Sequence, residues 1–166
     1  QMSNVNFIMA DLEAQSEHFM GLSILITNSK KMVRTFKDVN INGYIVLVKN
    51  MDEAADVANK LAVEHLEIMT NDPRKISAKI TNAGAIFLGP YTPVAVGDYV
   101  AGPSHVLPTG GSARFFSGLS LSDFYKSSHI ISYTKRALEK VRAPLEKVAG
   151  IEKLSKHLDS VKIRFD

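Results

Sequence analysis

The sequence predicts an α/β fold: an incomplete Rossmann-like, mostly parallel sheet with flanking helices and a C-terminal helical tail. Short β-rich runs alternate with helical patterns through the first hundred residues, which is typical of βαβ units. Beyond Lys135, apolar residues recur at spacings of three and four, as on one face of a helix. We therefore divide the chain into a sheet domain over residues 1–120 and a connector with a helical tail over residues 121–166.

Four short apolar runs are the predicted strands of the sheet. They are Ser23 to Thr27, Gly43 to Val48, Leu66 to Met69 and Ala85 to Leu88. The segment Met51 to Val63 has the periodicity of an amphipathic helix. Asp72 and Pro73 supply a cap and a first-turn proline for a helix that we expect to run through Thr81, and Gly84 is expected to be its C-cap glycine.

The C-terminal part is predicted to contain a short helix, a strand and then the tail. The helix covers Leu121 to Lys126, the strand His129 to Tyr133, and the tail starts at Lys135 with interruptions at Pro144 and Gly150. The apolar stripe of the tail comprises Leu138, Val141, Leu145, Val148, Ile151, Leu154 and Leu158. A short tail cannot bury such a stripe by itself, so we expect it to dock on the sheet domain or on a second chain.

Composition excludes several classes of protein. The chain has 166 residues, of which 45% are hydrophobic and 22% charged, an ordinary globular composition. No apolar run is long enough to cross a bilayer, and the N-terminal residues lack a leader pattern, so we expect a soluble protein that is not exported. The net charge is only +3, and the basic residues are interspersed with acidic ones, which argues against a nucleic-acid partner. The sequence contains no cysteine, which excludes thiolate chemistry and is compatible with the cytoplasm.

A segment rich in glycine and proline, residues 89–110, is the most informative part of the chain. It contains an acid and a histidine, Asp98 and His105. Glycine permits backbone conformations that other residues avoid, and proline stiffens the remainder. We therefore interpret the segment as a shaped loop that holds these two side chains for a ligand.

Residues 89–110, together with residues 111–125 that follow them, closely resemble the histidinol dehydrogenase family. The resemblance implies a zinc- and NAD-dependent enzyme that catalyses the last step of histidine biosynthesis. Such an enzyme oxidises L-histidinol through L-histidinal to L-histidine and consumes two NAD. The resemblance also implies a homodimer in which the subunits share their active sites.

The resemblance implies a zinc site as well. Residues 10–18 are similar to a family helix that carries a Gln-x-x-His pair, which would make Gln15 and His18 zinc ligands. By the same resemblance Asp98 is the third ligand and His157 the fourth. Two imidazole nitrogens and two oxygens suit zinc, with cobalt or manganese as alternatives. Without the resemblance, Gln15, His18 and His157 are more typical of exposed helix positions, and Asp98 is more typical of a turn-capping aspartate.

Residues 63–66 resemble the catalytic Glu-His pair of the family, at a point where a helix is followed by a strand. The resemblance implies that His65 is the general base and that Glu64 activates water. Histidine suits this role because its unperturbed pKa of about 6.5 lets it accept and return a proton near neutral pH. His105 and Glu152 are implied substrate contacts, beside His65 and the zinc ligands. By itself, an adjacent Glu-His pair is also typical of a polar boundary without a role.

The chain departs from the family in two respects. Only the C-terminal part of the family is represented, and the remaining part carries most nucleotide contacts and a substrate-binding serine. The chain has no Gly-x-Gly-x-x-Gly fingerprint, so its NAD contacts are unknown. The connection Asn28 to Gly43 is shorter than the family's, although a parallel crossover of about a dozen residues is possible.

Three interpretations follow for the function of the chain. It is a piece of a histidinol dehydrogenase, or a short homologue that pairs with another chain holding the cofactor half, or a non-catalytic module that binds zinc and an imidazole ligand. In each case we expect the isolated chain to be inactive.

Overall fold

The computed structural model describes residues 4–18 and 21–166. The chain forms two compact units, the first ending at Phe124 and the second covering Tyr125–Asp166. The first unit contains helices, parallel strands and two short 3-10 helices, and the second contains two helices. The predicted α/β class with a helical tail is confirmed.

The strands of the first unit form two parallel pairs. Strand β1 (Ser23–Thr27) pairs with β2 (Gly43–Leu47), and β3 (His65–Ile68) pairs with β4 (Ala85–Leu88). Within the described residues these pairs are two separate sheets, not one continuous sheet. A cavity of about 900 Å³ lies between them and is lined by residues of β1 and β3.

Five α-helices accompany these strands. They are α1 (Val5–Ser16), α2 (Lys30–Phe36), α3 (Met51–Leu61), α4 (Pro73–Ser77) and α5 (Val94–Tyr99). The side chains of Ser29, Asn50 and Asp72 cap α2, α3 and α4 by accepting a hydrogen bond from a backbone N–H of the first turn. Pro73 occupies the first turn of α4, as the sequence predicts.

Helix α4 is shorter than predicted because Asn59 of α3 forms hydrogen bonds with the backbone that follows α4. The Nδ2 atom of Asn59 donates to the Lys79 carbonyl at 2.8 Å, and its Oδ1 accepts from the Thr81 N–H at 2.8 Å. These bonds replace helical ones, so the prediction of a helix through Thr81 is wrong. Gly84 is not a C-cap either. A Cβ at Gly84 would lie 2.6 Å from the Glu64 carbonyl oxygen, so this glycine permits close approach of β4 to β3.

Two further predictions are wrong. Residues 89–110 are not a loop throughout, because residues 94–99 form α5. The strand predicted at His129 to Tyr133 does not form, and the Ile130 side chain there is 97% exposed. Its β-branched residues have no partner strand, and β-propensity is favourable only on a paired, half-buried surface. The short helix predicted at Leu121 is present as a 3-10 helix, Leu121–Phe124.

The second unit is a helical hairpin of α6 (Lys135–Ile151) and α7 (Ser155–Lys162). Pro144 and Gly150 both lie inside α6 and do not interrupt it, contrary to prediction, although Pro144 removes one helical N–H. The break falls later, at Lys153, whose φ of 59° is left-handed. The Arg142 guanidinium lies 4.7 Å from the centroid of the Phe165 ring and links the middle of α6 to the residues after α7.

In the part of the chain that the structure describes, no helix is long and apolar enough to span a membrane.

Candidate active site

His65 is the first residue of β3 and lies directly after the turn that ends α3. That turn is made by Ala62, which is fully buried and has a left-handed φ of 52°. The His65 side chain is only 11% exposed, and its Nε2 lies 3.7 Å from Oδ1 of Asp98. Neither ring nitrogen of His65 has a hydrogen-bond partner among the described residues. Buried polar atoms without partners are rare, so this imidazole is available to a ligand.

Asp98 is carried by α5, which packs closely on β4. A Cβ at Gly97 would lie 2.6 Å from Cε1 of Phe87, so only glycine lets the helix approach this ring. The Phe87 and His65 rings lie with their centroids 6.0 Å apart. Since His65 and Phe87 belong to paired strands, the helix that covers Phe87 brings Asp98 next to His65.

Glu67 is a third acidic or basic group on this face, and the sequence reasoning missed it. It lies two residues after His65, and alternate residues of a strand share a face. Its Oε1 accepts a hydrogen bond of 2.9 Å from the Val94 N–H. Burial, together with the charge of the neighbouring Asp11, raises the pKa of Glu67 from 4.5 to about 7. The available signal was an acidic residue inside an otherwise apolar strand.

Helix α1 presents one face to the cavity. Its cavity-lining residues have the helical spacing of three and four: Ile8, Asp11, Leu12 and Gln15. The hydroxyl of the buried Ser23 donates to the Leu12 carbonyl at 2.8 Å and holds α1 on β1. Gln15 therefore lines the same cavity as Glu64 and His65.

The other predicted residues are exposed. His18 lies beyond the end of α1, so it does not continue the helical face of Gln15 as the sequence predicts. His105 lies in the loop after α5. Glu152 caps the end of α6 and His157 lies on α7, both in the second unit. The imidazoles of His18, His105 and His157 make no hydrogen bond or ion pair with any described residue. Within the first unit, the structure brings Gln15, Glu64, His65 and Asp98 together in one region.

Comparison with known proteins identifies the family. The family model described as histidinol dehydrogenase matches residues 1–165. The chain belongs to the histidinol dehydrogenase family. It is 40% identical over 184 aligned residues to the histidinol dehydrogenase of Caldanaerobacter subterraneus. This alignment covers 99% of this chain and 43% of that protein. It is 41% identical over 179 residues to that of Lactococcus lactis, with 96% and 42% covered.

A solved structure supports the same assignment. The crystal structure of histidinol dehydrogenase from Elizabethkingia anophelis superposes with a TM-score of 0.85 at 28% identity, over 98% of this chain and 42% of that one. The chain therefore spans less than half the length of the relatives it matches.

The candidate site lies at the amino ends of β3 and β4. His65 begins β3 and pairs in register with Ala85, which begins β4. Open α/β sheets usually bind nucleotides outside the carboxyl ends of their strands. The His65 region therefore lacks the placement typical of a nucleotide site, and the sequence has no glycine fingerprint.

The zinc ligands implied by the family are partly grouped. Within residues 4–18 and 21–166, no three His, Asp or Glu side chains are close enough to hold a metal. Asp98 offers a carboxylate oxygen of the kind zinc binds, and Gln15, which lines the same cavity as His65, offers an amide oxygen. The donor chemistry fits zinc, and the complete four-ligand set stays a prediction.

Proposed function

We propose that this chain carries the acid–base and metal-binding part of a histidinol dehydrogenase that oxidises L-histidinol through L-histidinal to L-histidine. The observation that supports this most is His65, a buried imidazole with both ring nitrogens unpartnered, 3.7 Å from Asp98. A group held in this way is available for a substrate proton, and family membership supplies the substrate class.

His65 and Glu64 have distinct roles in the proposal. His65 accepts the proton of the substrate alcohol, because its nitrogens are not engaged by the protein. Glu64 then orients a water molecule toward the aldehyde. Zinc, if bound, would supply Lewis acidity, and NAD, if bound, would be the hydride acceptor. Asp98 keeps a carboxylate oxygen 3.7 Å from Nε2 of His65.

The proposed zinc ligands are Gln15, His18, Asp98 and His157, the last supplied by a second copy of the chain. The position of Gln15 in the cavity with His65 and the position of Asp98 beside His65 support these two ligands, and His18 rests on the family resemblance. His105 and Glu152 are the proposed substrate contacts. Their exposure leaves both side chains accessible to a ligand.

A homodimer would explain the apolar surface of the second unit. The exposed large apolar side chains include Ile130 at 97%, Ile131 at 79% and Ile151 at 73%. Of the tail stripe, Leu138, Val141, Leu145 and Leu158 are half-buried, whereas Val148, Ile151 and Leu154 remain exposed. Exposed apolar residues in such numbers are typical of an interaction surface.

The isolated chain is expected to bind L-histidinol but not to reduce NAD. Hydride transfer requires the nicotinamide ring to be held against the carbinol carbon, and the chain spans only 43% of its Caldanaerobacter relative. With the remaining part absent, free NAD would not be oriented.

Calorimetry and absorbance together test the proposal. L-histidinol is titrated into the zinc-treated chain and into His65→Asn, with Glu13→Gln as a control at an exposed position of α1. We expect binding that His65→Asn weakens at least about tenfold, the loss of one hydrogen bond to a charged partner, and no NADH absorbance in any sample. Equal affinity of wild type and His65→Asn, or sustained NADH production by the chain alone, contradicts the proposal.

A binding module without redox activity is the second candidate function. It is favoured by the close approach of His65 and Asp98, a contact made entirely by residues of this chain. The two candidates differ in one respect. A piece of the enzyme, or half of a two-chain enzyme, gains NADH production when the missing part is supplied, and a binding module does not.

A further inference from the structure

Glu67 occupies a central position among the three elements that carry the candidate site. Its carboxyl accepts the Val94 N–H at 2.9 Å and hydrogen-bonds the carboxyl of Asp11. Val94 begins α5, Asp11 belongs to α1, and Glu67 itself belongs to β3. One side chain therefore joins α1, β3 and α5.

The contact with Val94 replaces a missing helix cap. The N-cap residue of α5 is Pro93, which makes no side-chain cap hydrogen bond. Helices usually satisfy their first N–H groups with a Ser, Thr, Asp or Asn at this position. Here the acceptor comes from a residue 27 positions earlier in the chain. The start of α5 is thus fixed on β3 by Glu67.

The spacing of the contacts sets the register of Asp98 on His65. From Glu67 back to His65 is two strand residues, about 6.6 Å, and from Val94 forward to Asp98 is four helical residues, about 6 Å. The two distances match, so anchoring Val94 on Glu67 brings Asp98 opposite His65, where the observed separation is 3.7 Å. On the other side, Asp11 lies one helical turn before Gln15 on the cavity face of α1.

We propose that the hydrogen-bonded carboxyl pair of Glu67 and Asp11 is a positioning device that holds α1 and α5 on β3 and thereby places Asp98 against His65. Glu67 acts through its neighbours and is a positioning residue. The proposal rests on the proposed function only where His65 and Asp98 are given chemical roles, and the placement itself is independent of substrate.

Two carboxyl groups can share a hydrogen bond only when one of them carries a proton. The titratable group that meets Glu67 is Asp11 from α1; His65 lies two residues away on the same face of β3, with Asp98 of α5 beside it, and β4 contributes the uncharged Phe87 as the register partner of Glu67. Loss of the shared proton places two negative charges together on a half-buried surface. The tie, meaning the contacts of Glu67 with Asp11 and with the Val94 N–H, should therefore weaken as the pH rises through about 7, the pKa of Glu67.

Nuclear magnetic resonance of the full chain tests this without substrate or metal. The amide resonance of Val94 is followed from pH 5 to pH 9, for the wild type, Glu67→Gln, Asp11→Asn and the exposed control Glu13→Gln. We expect a Val94 titration near pH 7 in the wild type and control, none in Glu67→Gln, and a lower midpoint in Asp11→Asn. Glutamine keeps both hydrogen bonds, so the His65 ring resonances of Glu67→Gln should match the wild type.

Glu67→Ala removes the tie. Amide exchange of Val94 should then be about tenfold faster, as expected for loss of a hydrogen bond to a charged acceptor, and the His65 ring resonances should shift. If this variant does not fold, Asp11→Asn and Glu67→Gln decide the outcome. A wild-type Val94 resonance that does not titrate, or unchanged His65 resonances in folded Glu67→Ala, overturns the proposal. Either result leaves the proposed function untouched, since L-histidinol binding is measured separately.

Discussion

Gly97 packs directly against the ring of Phe87. A Cβ at Gly97 would lie 2.6 Å from Cε1 and 2.7 Å from Cζ of that ring. The contact brings α5 onto β4 and so controls how closely Asp98, the next residue, approaches His65.

Gly97→Ala should destabilise the first unit by about 1–3 kcal/mol, because the added methyl overpacks the interface between α5 and β4. Urea unfolding measures the free energy change. Gly150→Ala is the matched control, since Gly150 lies in α6 with no atom within 4 Å of its ideal Cβ. That variant should be neutral or more stable by up to about 1 kcal/mol. A Gly97→Ala chain as stable as the control would show that α5 does not need this close approach.

The pKa of Glu67 predicts how stability depends on pH. Its value in the folded chain, about 7, lies above the ordinary 4.5, so the folded state holds more protons than the unfolded state between these limits. The contribution of protonated Glu67 to the stability of the folded state is fully present below pH 4.5 and is lost as the pH rises toward 7. Glu67→Gln should remove this pH-dependent part of the free energy of unfolding. In urea unfolding, the stability of Glu67→Gln relative to the wild type should therefore increase from pH 5 to pH 8. A difference that is constant with pH would be inconsistent with the shifted pKa.

Asn59→Ala should cost about 1–3 kcal/mol, because it leaves the Lys79 carbonyl and the Thr81 N–H without their partner. Asp56→Ala, at an exposed position of the same helix, should change stability by less than about 0.5 kcal/mol. Thermal unfolding of both variants compares them directly. If the two variants unfold alike, Asn59 does not secure the segment after α4.

Metal binding should depend on both His18 and His157. We expect the chain to bind one zinc ion per site and the double variant His18→Ala with His157→Ala to lose it, as measured by elemental analysis after dialysis. Binding should also fall as the pH drops through the histidine range, because metal ligands must be deprotonated. Stoichiometric zinc in the double variant would place the metal elsewhere. His129→Ala, outside the proposed set, is the control.

Local sequence signals predicted much of the fold. Strands β1 and β4 have the predicted bounds, and Asp72 with Pro73 marks the start of α4. These features depend on local propensity and capping, which the sequence displays directly. The failures depend on tertiary contacts. Helix α5 forms in a stretch rich in glycine and proline because Glu67 supplies its cap and Phe87 its packing surface, and neither contact is visible along the chain.

The candidate site shows the same division. Resemblance to the family located Glu64, His65 and Asp98, and the structure places His65 beside Asp98. The resemblance did not locate Glu67. An acidic residue inside a strand becomes informative only once its contacts with Asp11 and Val94 are known. The helical spacing of Gln15 and His18 was also misleading, since α1 ends at Ser16.

The most direct test of the account is the NADH absorbance of a chimera in which this chain replaces the matching 43% of the Caldanaerobacter histidinol dehydrogenase. With zinc, NAD and L-histidinol, the chimera should produce NADH, and its His65→Asn variant should be slower by about 10²–10⁴-fold, the usual contribution of a general base. A chimera that binds zinc and L-histidinol but produces no NADH, or a His65→Asn variant with undiminished kcat, would contradict the account.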